Sequence, residues 1–158
     1  MMVTSHVVVG MTSSLFFVKD EDATPSKKAC ASALTVNIAL HGVMDLLPHN
    51  HPLPAYLDII IALLIAPLML FVKKKYRILV FICYLGSIMP DVIDLGVLRV
   101  LQFGSFRIFP WHYHSVYHFV NNLYTNSMVN MMFDISIIAI CAGVMFFKRK
   151  QLSYMLIK

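Results

Sequence analysis

Apolar runs that end in short basic clusters constrain this chain more than any other feature of its sequence. Hydrophobic residues make up 59% of the 158 positions and charged residues only 13%, and the mean hydropathy is +0.74. A soluble domain of this size has too small an interior to bury that much apolar surface. The basic clusters are Lys27-Lys28, Lys73-Lys74-Lys75 with Arg77, and Lys148-Arg149-Lys150. The pattern predicts an all-α polytopic integral membrane protein, with residues 1–158 as one domain.

The charge and the cysteines narrow the class of protein further. A formal net charge of +5 would suit a nucleic-acid-binding protein, but the basic clusters stand where membrane helices are flanked. We therefore expect the chain to contact membrane lipids and not to bind nucleic acid. The cysteines Cys30, Cys83 and Cys141 are widely separated, which indicates neither a disulfide framework nor a thiolate zinc site.

Six segments divide the chain into about five membrane helices and one interfacial or re-entrant helix. The run 55–72 is the clearest span, close to the roughly 20 residues that cross the hydrocarbon core. We expect the fourth segment to bend around Pro90 and Gly96. The histidine-rich segment 110–126 is too polar to face lipid and forms the interfacial helix. The other predicted helices are 3–18, 29–47, 77–103 and 128–147.

The basic clusters also predict which ends of these helices meet. With the clusters on the cytoplasmic side, all seven histidines and five of the eight acids fall toward the opposite side of the membrane. Ionisable groups at membrane depth cost several kcal/mol unless they are paired, wetted or bound to metal. Their collection at one side is therefore a functional-site hypothesis.

Three spaced pairs of histidines and aspartates are the candidate site. His41 and Asp45 are four residues apart, Asp91 and Asp94 are three apart, and His114 and His118 are four apart, so each pair would share one helix face. Imidazole and carboxylate are the ligands of zinc, and also of manganese and iron. The pattern predicts a divalent metal site at the non-cytoplasmic side, with zinc as the first choice.

The remaining polar residues have simpler interpretations. A single histidine at a helix end is more often a hydrogen-bonded interface residue than a ligand, and this applies to His6, His49, His51 and His112. Asp58 suits the first turn of a helix, and Asp134 suits a buried partner of a ligand histidine. The aromatic residues Trp111, Tyr113 and Tyr117 suit an interfacial belt.

Short motifs connect the candidate residues with a known group of proteins. They are Ser5-His6, the His41-x-x-x-Asp45 that precedes Leu47-Pro48-His49, Gly86-Ser87-x-x-Pro90-Asp91, and His114-Ser115-x-x-His118. The pattern resembles small bacterial membrane proteins of unknown function. These are similar in turn to the predicted membrane-bound metal-dependent hydrolases, the group of the LexA-regulated inner-membrane hydrolase.

The resemblance implies a location in the bacterial inner membrane and ligand roles for His41, Asp45, Asp91 and His114. The chain departs from the group's pattern in three places, and the first is that the group's His-Arg-Gly-x-Thr-His spacing is shortened to His112-Tyr113-His114. Pro-Asp-x-x-Asp replaces Pro-Asp-x-Asp, which affects Asp94, and the His-x-x-x-Asp element precedes the Pro-Asp element.

Together these features predict a hydrolase that acts on a lipid or lipid-linked ester or phosphoester. His41, Asp45, Asp91 and either His114 or His118 would hold the metal, and Asp94 would be the catalytic general base. Two other functions remain open. One is a non-catalytic subunit of a homo-oligomer or larger membrane complex, and the other is an electron-transfer subunit with haem bound by His41 and His114.

Overall fold

The computed structural model of the chain describes residues 3–47, 54–102, 106–113 and 127–157, and every regular element in these ranges is helical. The all-α prediction is confirmed for this part of the chain. The helices are α1 (Val3–Ser13), α2 (Lys27–Asp45), α3 (Ala55–Ile65), α4 (Lys74–Asp91), α5 (Ser127–Phe147) and α6 (Arg149–Met155). Shorter helical pieces follow some of them, at Ser14–Phe17, Ala66–Phe71, Val92–Val97, Leu98–Val100 and Pro110–His112.

Local chemistry explains where several helices begin and change type. The Oγ of Ser26 accepts a hydrogen bond from the backbone N–H of Ala29 at 3.1 Å, which caps the start of α2. Pro67 has no N–H to donate to the carbonyl of Leu63, and the α-helical part of the third segment ends at Ile65. The α-helix α4 becomes a π-helix at Val92, two residues after Pro90, where the sequence predicted a bend.

Length and composition support fewer membrane helices than the sequence predicted. Within the described ranges one helix, Lys74–Val97, is long and apolar enough to cross a membrane. The pair Met131–Phe147 and Arg149–Met155, bent by 81°, adds a second if it is counted as one span. The apolar helices Val3–Phe17 and Tyr56–Phe71 are shorter. The figure of about five membrane helices therefore stays a prediction.

The helix α4 lies at the centre of the described bundle. It packs against α1 and α2, and α1 also contacts α3 and α5. Two glycines allow these close contacts. A β-carbon at Gly10 would lie 2.6 Å from the Cβ of Ser87, and one at Gly86 would lie 3.0 Å from the Cβ of Asn37. Small residues at helix crossings are typical of membrane bundles, and here they bring α1 and α2 close to the same stretch of α4.

Buried polar contacts link α1 to its neighbours. The Oγ of Ser13 donates to the Oδ1 of Asn37 at 3.0 Å, and the Oγ of Ser5 donates to the Oδ1 of Asp134 at 2.8 Å. Asp58, in the first turn of α3, accepts hydrogen bonds from the backbone N–H groups of Val3 and Thr4. Its carboxylate thus neutralises the start of a neighbouring helix as well as lying at the start of its own. The contacts of Ser5 and Asp58 involve the first turn of α1, which is the end of that helix that carries His6.

Candidate metal centre

Four side chains from three elements meet at this end of the bundle. His41 and Asp45 lie one turn apart near the end of α2, Asp91 is the last residue of α4, and His112 ends the helical turn Pro110–His112. Each residue offers a ligand atom, and the four ligand atoms all lie within 4.8 Å of one another. Two imidazoles and two carboxylates at this separation form a group that could hold a metal ion.

Both imidazoles direct the same nitrogen toward the same pair of carboxylates. The Nε2 of His41 lies 3.0 Å from Asp45 Oδ2 and 3.5 Å from Asp91 Oδ1. The Nε2 of His112 lies 3.2 Å from each of those two oxygens. The four atoms therefore converge on one point between α2, α4 and the loop that carries His112.

The second nitrogen of each imidazole has a partner of its own. The Nδ1 of His41 lies 2.7 Å from the backbone carbonyl of Ser87, and the Nδ1 of His112 lies 2.9 Å from Asp94 Oδ2. An Nδ1–H that donates to a carbonyl or carboxylate leaves the Nε2 lone pair free for a metal, and such outer contacts are usual around metal-binding histidines. Both rings are thus oriented as ligands.

The Nε2 of His41 is a buried atom without a proper hydrogen bond. Although it lies near two carboxylate oxygens, it has no hydrogen-bond partner among the residues that the structure describes. Buried polar atoms are nearly always satisfied, and one that is not calls for a specific explanation. A metal ion between His41 and the carboxylates would satisfy it, so the residues present fit a divalent cation.

Asp94 lies behind His112 and not among the converging ligand atoms. It belongs to the π-helix Val92–Val97 and its side chain is 0% exposed. Its oxygens accept hydrogen bonds from the backbone N–H groups of Ile108 and Phe109, both at 2.9 Å, as well as contacting His112. Asp94 therefore holds the loop 106–113 against the end of α4 and orients the imidazole of His112.

Packing of Trp111 over Gly42 helps to place the same loop. A β-carbon at Gly42 would lie 2.7 Å from the Trp111 ring, so only glycine admits the indole at this distance. The indole also lies beside His41, with 6.4 Å between the ring centroids. The sequence assigned Trp111 to an interfacial belt, whereas in the structure it packs against the residue that follows His41.

The carboxylates strongly affect the proton affinity of His112, which lies in the loop outside the long helices. Burial by itself would lower its pKa, but hydrogen bonds with Asp45, Asp91 and Asp94 raise the pKa to about 10. In the metal-free protein His112 is therefore an imidazolium at neutral pH. A metal ion would have to displace that proton.

The structure brings together three of the five predicted metal ligands. His41, Asp45 and Asp91 are in the cluster, whereas His114 and His118 lie outside the described residues, as do His49 and His51. The sequence interpretation treated His112 as an interface residue, and the structure adds it to the cluster. The sequence offers little to identify His112 as a ligand, since it is one imidazole two residues before the His114 motif. Its position in the structure depends on contacts with Asp94 and on the packing of Trp111 over Gly42, which no sequence spacing indicates.

Comparisons with known proteins neither support nor contradict this resemblance. No protein-family model, no curated protein and no solved structure matches the chain.

Proposed function

We propose that the chain is a membrane-embedded, metal-dependent hydrolase that acts on a lipid or lipid-linked ester or phosphoester. The observation that carries the proposal is the convergence of His41, Asp45, Asp91 and His112, with a second contact behind each imidazole. Two imidazoles and two carboxylates suit zinc first, and manganese or iron next. A bound divalent ion would polarise the carbonyl or phosphoryl oxygen of a substrate and make an attacking water more acidic.

The residues around the ion would have distinct tasks. We assign His41, Asp45, Asp91 and His112 as ligands, with His114 and His118 as further candidates from the sequence. Asp94 is assigned to orient His112 instead of acting as the general base, because its buried carboxylate already accepts three contacts. Asp91, whose side chain is 23% exposed, marks the side from which a substrate would approach.

Exposed apolar side chains favour a location within a bilayer. In α3, Ile60 is 47% exposed and Leu64 is 67% exposed, and Phe147 at the end of α5 is 84% exposed. At 1.5 Å per α-helical residue and 2.0 Å per 3-10 residue, Ala55–Phe71 extends about 28 Å, close to the roughly 30 Å of the hydrocarbon core. The third segment is therefore long enough for a membrane helix, although it changes from an α-helix to a 3-10 helix at Ala66.

The rim of the site favours a lipid substrate. Apolar side chains that are at least half exposed lie next to cluster residues in the chain: Leu46 follows Asp45, Val92 follows Asp91, and Ile108 belongs to the loop that carries His112. Acyl chains could contact these residues while the polar linkage reaches the carboxylates. A water-soluble substrate would gain nothing from that apolar border.

An activity screen with a matched variant tests the reaction. The detergent-purified, zinc-loaded protein is assayed with p-nitrophenyl carboxylic and phosphate esters that carry short or long alkyl chains. We expect hydrolysis of long-chain esters, and a loss in Asp91→Asn larger than the roughly 10- to 100-fold effect of outer-shell changes. Asp134, expected from the sequence to be a partner of a ligand histidine, accepts a hydrogen bond from Ser5 and lies outside the cluster, so Asp134→Asn should keep the activity. Equal activity in Asp91→Asn and the unmodified protein would contradict the proposal.

A non-catalytic subunit of a membrane complex is the second candidate. It is favoured by the contacts in and around the cluster, where the imidazoles of His6, His41 and His112 contact the carboxylates of Asp45, Asp91 and Asp94. If two of the imidazoles carry protons, these ion pairs can stabilise the bundle without a metal. This alternative predicts folded, metal-free protein with no hydrolase activity.

A further inference from the structure

His6 lies at the inner side of the cluster without belonging to the four converging residues. It is carried by α1, is 1% exposed, and its ring stacks on His41 with 4.1 Å between the centroids. Its Nε2 lies 3.1 Å from the Oδ1 of Asp45. Ser5-His6 is one of the motifs that carry the resemblance, but the sequence predicts for His6 itself only an interface position.

The surroundings of His6 decide which of its nitrogens carries the proton. Its Nδ1 is buried and has no hydrogen-bond partner among the residues that the structure describes. A proton on Nδ1 would therefore be an unsatisfied buried donor, and the Nε2 lone pair would face a carboxylate oxygen. The tautomer with the proton on Nε2 removes both conflicts. In this state His6 is a neutral donor to Asp45.

The two oxygens of Asp45 then have separate partners. Oδ1 accepts from His6, whereas Oδ2 lies 3.0 Å from His41 Nε2 and 3.2 Å from His112 Nε2. The hydrogen bond from His6 occupies one lone pair of Oδ1 and fixes the orientation of the carboxylate, so that Oδ2 is the oxygen presented to the other two imidazoles and to a metal ion between them. Among the residues that the structure describes, Asp45 is the hydrogen-bond partner of the His6 imidazole, and outer contacts of this kind orient metal-binding carboxylates.

We propose that His6 is a positioning residue that holds Asp45 so that it binds the metal through Oδ2 alone. This inference rests on the proposed metal centre and adds α1 to the elements that define it. His6 is assigned to a place outside the coordination shell, since its Nε2 contacts Asp45 Oδ1, whereas the other two imidazoles contact Oδ2. Loss of the donor would let Asp45 rotate or bind through both oxygens, which would weaken and alter the site.

Two substitutions separate the donor of His6 from its bulk. His6→Phe keeps a ring against His41 but has no donor, whereas His6→Gln places an N–H donor near the position of Nε2. Detergent-purified proteins are titrated with Co²⁺, and the visible absorption of the bound ion is recorded. We expect the Kd of His6→Phe to rise about 10- to 100-fold, and that of His6→Gln to rise by less than about tenfold. The Co²⁺ spectrum should weaken in His6→Phe as the coordination number increases.

Ser13→Ala is the matched control, because Ser13 is a buried polar residue of α1 that bonds to Asn37 away from the cluster. Its Co²⁺ affinity should equal that of the unmodified protein. Thermal melting of the metal-free variants shows whether each one folds. If His6→Phe fails to fold, the affinity of His6→Gln decides, and a loss beyond about tenfold there would overturn the proposal.

The outcomes distinguish this inference from the proposed function. Failure of the unmodified protein to bind Co²⁺ overturns the metal centre and the role of His6 together. Normal binding by the unmodified protein with unchanged affinity in His6→Phe overturns the role of His6 alone. X-ray absorption should count the same number of imidazoles on the ion in the unmodified protein and in both variants. One imidazole fewer in the variants would make His6 a ligand and contradict its positioning role.

Discussion

His112 is the residue whose role the structure changes most. The sequence predicts an interface position for His112 and favours His114 and His118 as metal ligands. In the structure, however, the imidazole of His112 contacts Asp45, Asp91 and Asp94. Its position depends on a hydrogen bond to a π-helix and on an indole that fits over a glycine. Neither relation has a regular spacing in the sequence. His41 and Asp45 were predictable because four residues in a helix determine which side chains share a face.

The raised pKa of His112 predicts how the stability of the metal-free protein depends on pH. The folded-state pKa of about 10 exceeds the ordinary value of 6.5, so the stabilisation is complete below pH 6.5 and is lost as the pH rises through 10. The melting temperature measured with a chelator present should therefore fall across this interval. In His112→Gln the fall should be smaller, because this titration is absent. Identical slopes for both proteins would contradict the assignment.

At the scale of helices, the close packing of α1 and α2 on α4 is what assembles the site. Gly10 and Gly86 allow the approach, and the carbonyl of Ser87 in the same stretch of α4 orients His41. The sequence predicted helices near the observed positions, because apolar runs and basic clusters mark their ends. It did not predict the 3-10 continuation of α3 or the π-helix after Pro90, which depend on individual hydrogen bonds.

Substitution of Gly10 tests this close packing. In Gly10→Ala the new methyl group would lie 2.6 Å from Ser87 Cβ and 2.9 Å from the carbonyl oxygen of Cys83, so a helix must shift. We expect a loss of about 1–3 kcal/mol in the free energy of unfolding, as for other overpacked contacts. Gly143→Ala is the control, since a β-carbon there meets nothing within 4 Å and alanine favours a helix. Thermal melts in detergent that show equal stability for both variants would contradict the packing argument.

At the scale of the whole molecule, the all-α prediction is confirmed for the described residues, whereas the sequence predicted more membrane helices than the structure supports. Helices such as Val3–Phe17 and Tyr56–Phe71 are apolar but short. Hydropathy describes the composition of a run. It does not show where the hydrogen-bond pattern of the helix changes, as the third segment does at Ala66, just before Pro67. The histidine-rich helix 110–126 remains a prediction, because most of that segment lies outside the described residues. The side of the membrane also remains a prediction, because the packing of the helices does not identify a cytoplasmic side.

The metal content of protein taken from washed membranes tests the central claim most directly. Membranes are washed at alkaline pH, and the protein is then extracted in detergent and subjected to elemental analysis beside the His41→Ala/Asp91→Ala double variant. We predict that both proteins stay with the membrane and that only the unmodified one holds about one or more equivalents of zinc, manganese or iron. Release of the protein by the wash, absence of metal from the unmodified protein, or equal metal in the double variant would contradict a membrane-embedded metal centre at these residues.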